Sequence, residues 1–158
     1  MEIYLMQHGQ AVSDQEDPAR PLSRAGVEQI QLSAKAIQRI GLTFDVMICS
    51  PKRRSHQTAA LVAEAIRYPY SDILESDTVL PKAEPEELLQ KMAQMIGDKI
   101  LVVGHLPHLS RLVSHMFGCS GELVHFENGA LVCINKASDK NILTAVMPAE
   151  QMRLIGKS

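Results

Sequence analysis

The sequence predicts an α/β protein, a three-layer sandwich in which helices cover both faces of a mostly parallel central sheet. Short, wholly apolar runs alternate along the 158 residues with segments whose apolar residues recur at helical spacing. Wholly apolar strands are typical of parallel sheets that are buried on both faces. No linker, repeat or low-complexity tract interrupts this alternation, so residues 1–158 are predicted to form a single domain.

Each predicted strand is a short apolar run that ends at polar or turn-forming residues. The first strands read as parallel, and the last two read as a closing antiparallel pair. The segment 73–80 is predicted to be extended at one end, and Asn128-Gly129 is a typical hairpin signal. The strands are predicted over residues 3–6, 45–49, 99–103, 130–135 and 142–147.

Four helices follow from start signals that precede apolar residues at helical spacing. Ser23 is a suitable N-cap for the first helix, which Gly41 ends. Ser50 and Pro51 predict the second helix, with serine as N-cap and proline at the first position. An acidic start predicts the third helix over 84–96, and a proline opens the fourth over 107–117. The polar residues 10–21 read as a loop.

Composition excludes several classes of function. Lysine and arginine number 16 against 18 aspartate and glutamate, and tryptophan is absent, which argues against nucleic-acid binding. No apolar run reaches the roughly 18 residues that a membrane helix needs. Cys49, Cys119 and Cys133 are widely spaced without a CxxC pair, which predicts a reducing cytoplasmic location. Nucleotide-cofactor motifs and metal-ligand spacings are missing, so neither a cofactor nor a metal is expected.

Two histidines stand directly after apolar strands, and this position carries the functional hypothesis. His8 precedes Gly9 at the end of the first strand, and His105 ends the strand over 99–103. Binding sites of such sheets lie beyond the carboxyl ends of the strands. A neutral histidine can accept a phosphoryl group while a second histidine stabilises its negative charge. Arg54, one turn into the second helix, and Arg20, in the loop after His8, can supply positive charge.

Four segments together resemble the histidine phosphatase superfamily, which is phosphoglycerate-mutase-like in fold. LMQHG (5–9) is similar to its Arg-His-Gly signature, and LSRAGVEQ (22–29) is similar to the helix start that follows. SPKRRSHQTA (50–59) resembles the Ser-Pro, Arg, Gln-Thr-Ala helix, and VVGH (102–105) resembles the strand of the second histidine. The continuation Leu106-Pro107 and the short chain without a large cap insertion are typical of the SixA-type branch.

The resemblance implies a role for each matching position. His8 matches the nucleophile that becomes phosphohistidine, and His105 matches the histidine that stabilises the transferring phosphoryl group. Arg54 and Arg20 match phosphate-binding arginines, and Gly9 completes the first signature. The implied activity is a cytoplasmic phosphohydrolase without a cofactor, acting on a phosphohistidine-bearing protein such as a phosphotransfer domain, or on a small phosphorylated substrate.

Gln7 departs from the resemblance, because the superfamily has arginine directly before the nucleophilic histidine. Glutamine can donate hydrogen bonds but brings no charge and no fork for two phosphate oxygens. Three readings therefore stay open: a phosphohistidine phosphatase, slower or compensated by other cations; a weak or inactive module that binds phosphate or a phosphoprotein; and a small-molecule phosphomonoesterase. A general acid, if one is needed, has two candidates in this sequence, Asp17 and Glu84.

Overall fold

A computed structural model describes all 158 residues. The chain folds into a six-stranded sheet that lies between two layers of helices. The strands are β1 (Glu2–Gln7), β2 (Val46–Cys49), β3 (Ile73–Glu75), β4 (Lys99–Gly104), β5 (Leu131–Lys136) and β6 (Asn141–Met147). The helices are α1 (Arg24–Arg39), α2 (Arg53–Ile66), α3 (Pro85–Ala93), α4 (His108–Phe117) and α5 (Ala149–Lys157). None of these helices combines the length and the apolar character needed to cross a membrane.

The sheet has the strand order β3-β2-β4-β1-β5-β6, in which β5 and β6 are antiparallel and the other strands are parallel. Alternate residues of β1 enter two separate cores. Tyr4 and Met6 pack with α1, α2 and α5, whereas Ile3 and Leu5 pack with α3 and α4. The predicted three-layer architecture with a mostly parallel sheet is therefore confirmed.

Three parallel strands end at one edge of the sheet, and this edge positions the site. β1 and β4 pair in register from Glu2 and Lys99 to Gln7 and Gly104, so that His8 and His105 follow side by side. β2 ends beside them, with Ser50 as the next residue. The chain then enters α2, whose first turn lies above the same edge.

Two predicted boundaries are wrong. α2 begins at Arg53 with Lys52 as its N-cap, not at Ser50 and Pro51, although the Ser50 hydroxyl accepts from the Lys52 amide at 3.3 Å as well as contacting His105. α3 ends at Ala93, and the residue predicted to close it, Ile96, is 97% exposed. The helix therefore stops once its apolar side no longer faces the core.

The closing region is partly as predicted. β5 and β6 form the predicted antiparallel pair, and the turn between them lies at Ala137 and Lys140, whose main chains hydrogen-bond. Asn128 and Gly129 lie in a turn before β5, where the Ala130 amide donates to the Glu127 carbonyl, rather than in a hairpin between two strands. Helix α5 was not predicted. It packs closely on α1, since a Cβ added at Gly156 would lie 2.1 Å from the Leu32 carbonyl oxygen.

Candidate active site

The edge formed by β1, β2 and β4 brings two histidine rings together beside an arginine. The ring centroids of His8 and His105 are 4.9 Å apart, and the ring planes meet at 61°. Arg54, in the first turn of α2, donates a hydrogen bond from Nε to His8 Nε2 at 3.1 Å. Three sequence-predicted residues from three separate elements thus lie in one cluster.

The main chain fixes the orientation and tautomer of His8. Its Nδ1 lies 2.7 Å from the Gly9 carbonyl oxygen, which can only accept a hydrogen bond, so Nδ1 carries the proton. The lone pair therefore resides on Nε2, which faces Arg54. Burial lowers the pKa of His8 to about 4, and the positive charges of Arg54 and Arg20 act in the same direction against the Gly9 carbonyl. His8 is accordingly neutral at pH 7.

The backbone around His8 is held on both sides. The Gly9 amide donates to Thr58 Oγ1 at 3.1 Å, and the same hydroxyl donates to the Arg54 carbonyl at 2.8 Å. Asn128 donates from Nδ2 to the His8 carbonyl at 2.6 Å. Gly9 admits no side chain, because a Cβ there would lie 2.6 Å from Cγ1 of Ile30. These contacts tie the end of β1 to α2 and to the segment before β5.

His105 is 1% exposed and contacts a serine at the end of β2. Its Nε2 lies 2.5 Å from Ser50 Oγ, and the Ser50 amide in turn donates to Ser55 Oγ. The Ser55 hydroxyl donates to the Val103 carbonyl, which ties this group to β4. Burial lowers the pKa of His105 to about 3, with His8 as the next cause, so both rings are neutral at pH 7.

The comparisons with known proteins point to one superfamily. The model of the histidine phosphatase superfamily (branch 1) matches residues 3–74, which include His8 and Arg54. This match and the relatives below support placing the chain in the histidine phosphatase superfamily. Phosphohistidine phosphatase SixA of Escherichia coli strain K12 is 28% identical over 130 residues, which cover 77% of this chain and 76% of that protein. The resemblance to the SixA-type branch is thereby confirmed.

Solved structures give the same fold. The histidine phosphatase SixA complexed with tungstate superposes with a TM-score of 0.84 at 23% identity, covering 96% of this chain and 99% of that one. A phosphoglycerate mutase from Bacillus anthracis superposes with a TM-score of 0.74 at 15% identity, covering 100% and 97%. The fold is therefore phosphoglycerate-mutase-like, and the superfamily and SixA similarities together support a phosphatase.

Arg20 lies at the mouth of this superfamily site. Its backbone is in the left-handed region with φ of 46°, and its Nε donates to the Val12 carbonyl at 3.2 Å. The side chain is exposed. Its charge is close enough to lower the pKa of both His8 and Arg54. No hydrogen bond joins Arg20 to either residue, so its influence on them is through charge.

The two candidate general acids lie apart from the histidine pair. Asp17 caps a turn, in which its Oδ1 accepts from the Ala19 amide at 2.9 Å and its carbonyl accepts from the Arg20 amide at 2.8 Å. Glu84 pairs with Arg111, whose Nη2 lies 2.7 Å from Glu84 Oε2. Asp17 therefore shapes the loop that carries Arg20, and Glu84 belongs to the contact between α3 and α4.

Gln7 and His108 stand out because buried polar atoms of both have no hydrogen-bond partner. Gln7 ends β1, where its carbonyl accepts from the Gly129 amide, but its Oε1 is unpartnered. His108 is fully buried, because α4 turns it toward the core. His115 and His125 are exposed and His56 is half-buried, and each of these three contacts a glutamate.

Sequence reasoning missed three supporting contacts of the site. Thr58 lies within a recognised segment, but its contact with Gly9 could not be seen from spacing. The side chain of Ser50 was assigned to a helix cap, although it faces His105. Asn128 was assigned to a hairpin turn because its neighbour is glycine, and nothing in the local sequence marks its contact with His8, 120 residues away.

Proposed function

We propose that this protein is a phosphohydrolase that removes phosphoryl groups from histidine on another protein and forms phosphohistidine on its own His8. The observation that carries the proposal is the pair of contacts made by the His8 ring. The Gly9 carbonyl holds the proton on Nδ1 at 2.7 Å, and Nε2 faces the Arg54 guanidinium at 3.1 Å. An oriented neutral imidazole beside fixed positive charge is suited to attack a phosphoryl group.

In the first step, His8 Nε2 attacks phosphorus in line with the leaving group. A bond forms between Nε2 and phosphorus as the bond from phosphorus to the substrate nitrogen breaks. The electron pair stays with the leaving imidazole, which takes a proton from water. Arg54 gives up its contact with Nε2 when the phosphoryl group arrives, and its guanidinium then donates to the phosphoryl oxygens.

His105 and Arg20 complete the anion site in this proposal. His105 flanks the His8 ring at 4.9 Å, and Arg20 lies close enough to lower the pKa of His8 and of Arg54. Both can stabilise the equatorial oxygens while charge redistributes in the transition state. Gln7 contributes hydrogen bonding without charge, and the Gly9 carbonyl holds the His8 ring in place.

In the second step, water hydrolyses the phosphohistidine. The water oxygen bonds to phosphorus as the bond from Nε2 to phosphorus breaks, and the electron pair returns to Nε2. The proton of the water passes to solvent or phosphate. Inorganic phosphate leaves, and neutral His8 is regenerated with its Nδ1 proton still on the Gly9 carbonyl.

The openness of the site supports a substrate in which another protein presents the phosphoryl group. The segment between α2 and β4 holds only β3, two single-turn helices and α3, which packs against the sheet through Leu88 and Met92. No element inserted there covers His8, which is partly exposed. Imidazole is also a better leaving group than an alkoxide, so a dedicated general acid matters less. The relative in Escherichia coli is named a phosphohistidine phosphatase.

The test uses a phosphotransfer domain phosphorylated on histidine and follows release of inorganic phosphate. The wild-type chain is expected to release phosphate, and His8→Ala is expected to release none. His56→Ala is the matched control, because His56 lies on α2 but contacts Glu75 and Tyr70 rather than the site. Full activity of His8→Ala would overturn the proposed mechanism.

Gln7 favours a second candidate, a relative that binds phosphate or a phosphoprotein with little turnover. Loss of one charge-assisted contact lowers a rate about 10²–10³-fold. A parallel assay with p-nitrophenyl phosphate separates the possibilities. No release from either substrate would favour the binding module, and release from the phosphoester alone would favour a small-molecule phosphomonoesterase.

A further inference from the structure

Three residues, at the ends of β1 and β4 and at the start of α4, have buried polar groups without a partner. Four buried side-chain nitrogen or oxygen atoms have no hydrogen-bond partner: Gln7 Oε1, His105 Nδ1, and both ring nitrogens of His108. Every other buried side-chain polar atom of the chain is satisfied. Native proteins rarely leave such atoms unpaired, and exceptions concentrate at sites that act on a ligand. We call Gln7, His105 and His108 the polar corner.

The sheet register places Gln7 next to the start of α4. Gln7 pairs with Gly104, and both face the side on which α4 packs. A Cβ added at Gly104 would lie 3.0 Å from Val79 Cγ1 and 3.1 Å from Leu109 Cδ2. The neighbour of Leu109 in α4 is His108. Gln7 and His108 therefore lie on the same face of the sheet, at the same end.

The polar corner is continuous with the phosphoryl site through His105. The His105 ring is 4.9 Å from His8, and its unpartnered Nδ1 belongs to the corner. The chain passes from His105 directly into α4, a helix of 10 residues whose positive N-terminal end begins at His108. A helix N-terminus favours an anion, and the unpartnered ring nitrogens of two buried histidines, Nδ1 of His105 and both nitrogens of His108, supply the independent polar groups that such a site needs.

His108 is equipped to donate a hydrogen bond at neutral pH. It is fully buried, and burial lowers its pKa to about 4, with Arg111 acting in the same direction and Glu84 against it. Those two residues are paired with each other at 2.7 Å. His105, at the end of β4, is the other titratable group that interacts with His108. A neutral ring keeps one N–H donor, and no acceptor in the chain receives it.

We propose that His108 is a further phosphoryl-binding residue, which turns its ring to donate an N–H to the anion bound between His8 and Arg54. With the Gln7 amide, it supplies hydrogen bonding on the side where this chain lacks the arginine that precedes the nucleophile in the superfamily. The identity of the anion as a phosphoryl group rests on the proposed function. The existence of an anion site does not rest on the proposed function, since affinity for an anion can be measured without turnover.

The test measures the affinity of the full chain for tungstate by isothermal titration calorimetry. His108→Leu removes the donor at similar volume and is expected to weaken tungstate binding about ten- to a hundredfold, the range for a hydrogen bond to a charged group. His108→Gln keeps an N–H donor and is expected to stay within about threefold of wild type. His115→Leu is the matched control on the same helix, because His115 is exposed and contacts Glu86.

Wild-type tungstate affinity in His108→Leu would overturn the inference. Equal weakening of tungstate binding in His108→Leu and His108→Gln would also overturn it, because it would indicate an effect of packing rather than the loss of a donor. Absence of tungstate binding by the wild-type chain would also overturn it. Leucine replaces an unpartnered polar group, so the melting temperature without tungstate is expected to be unchanged or raised. If His108→Leu does not fold, His108→Phe takes its place, since it keeps a ring without the N–H.

Phosphate release from the phosphotransfer domain, measured on the same preparations, separates the two proposals. Tungstate binding that depends on His108 without any turnover supports this inference and rejects the proposed function. Turnover by the wild-type chain with unchanged tungstate affinity in His108→Leu rejects this inference and leaves the proposed function intact.

Discussion

Asn128 donates a hydrogen bond to the main-chain carbonyl of His8 at 2.6 Å, across 120 residues of chain. The neighbouring Gly129 amide donates to the Gln7 carbonyl at 3.0 Å, so the segment before β5 binds the end of β1 at two successive residues. The His8 ring is thereby held through its backbone as well as through its Nδ1 contact with Gly9. Orientation of the nucleophile thus depends on a segment far from the recognised motifs.

Asn128→Ala is expected to lower kcat/KM for phosphate release about tenfold, because a small misplacement of a reacting group is costly. The free energy of unfolding should fall by about 1 kcal/mol for the lost hydrogen bond. Asn141→Ala is the matched control, since Asn141 also donates from Nδ2 to a carbonyl, that of Met116, at 2.6 Å. It should show the stability loss with normal turnover. Equal turnover in both variants would contradict a positioning role for Asn128.

Arg54→Lys is expected to lower kcat about a hundredfold although the positive charge is kept. Lysine cannot reproduce the Nε contact with His8 or present a planar fork to phosphoryl oxygens, and one such donor is worth about 10²–10³ in rate. Arg53→Lys is the control, because Arg53 is the exposed neighbour in the same helical turn. Steady-state kinetics on the phosphotransfer domain test both. Similar rates for both variants would remove Arg54 from the proposed anion site.

The position of the site was predictable, because residues that follow the carboxyl ends of neighbouring parallel strands lie close together. His8 and His105 follow apolar runs, and the register of β1 and β4 places them side by side. Arg54 was predicted from a helix start at Ser50 that is three residues too early. It reaches His8 because it lies in the first turn of α2, which begins shortly after β2. Local pattern and sheet topology were sufficient for the two histidines.

Long-range polar contacts could not be predicted, because they depend on tertiary packing rather than on local pattern. Ser50 has the sequence signature of an N-cap, but the nearby His105 ring engages its hydroxyl, and α2 starts three residues later. His108 follows a proline and reads as a surface residue, yet α4 packs it against the sheet. In each case a partner distant in sequence outweighs the local preference.

Stability is expected to decline steadily as pH falls from about 6.5 toward 4. The pKa values of His8, His105 and His108 are about 4, 3 and 4, below the ordinary value near 6.5. Between these limits the unfolded chain binds protons at these histidines and the folded chain does not, so the free energy of unfolding falls with pH. Urea unfolding at pH 7.5, 6 and 5 measures this slope.

The contribution of a histidine can be separated from that of other acid-sensitive groups by comparing how steeply the free energy of unfolding changes with pH in wild type and in a variant. His108→Leu removes one titrating group and should lose less stability between pH 7.5 and 5 than wild type. His125→Leu is the matched control, because it makes the same substitution at an exposed histidine. A wild-type slope in His108→Leu would mean that His108 titrates alike in the folded and unfolded chains.

Gln7→Arg is expected to raise kcat about tenfold, because it adds a charge-assisted donor directly beside the nucleophile. The size of the gain depends on whether the guanidinium can reach the phosphoryl group from the buried end of β1, where Gln7 Oε1 has no partner. Gln10→Arg is the control, since Gln10 is exposed in the loop after His8 and adds the same charge without that position. A gain in Gln7→Arg alone would show that the missing arginine limits the rate. An unchanged or lower kcat in Gln7→Arg would contradict the prediction and would mean that the anion site is organised around the glutamine amide.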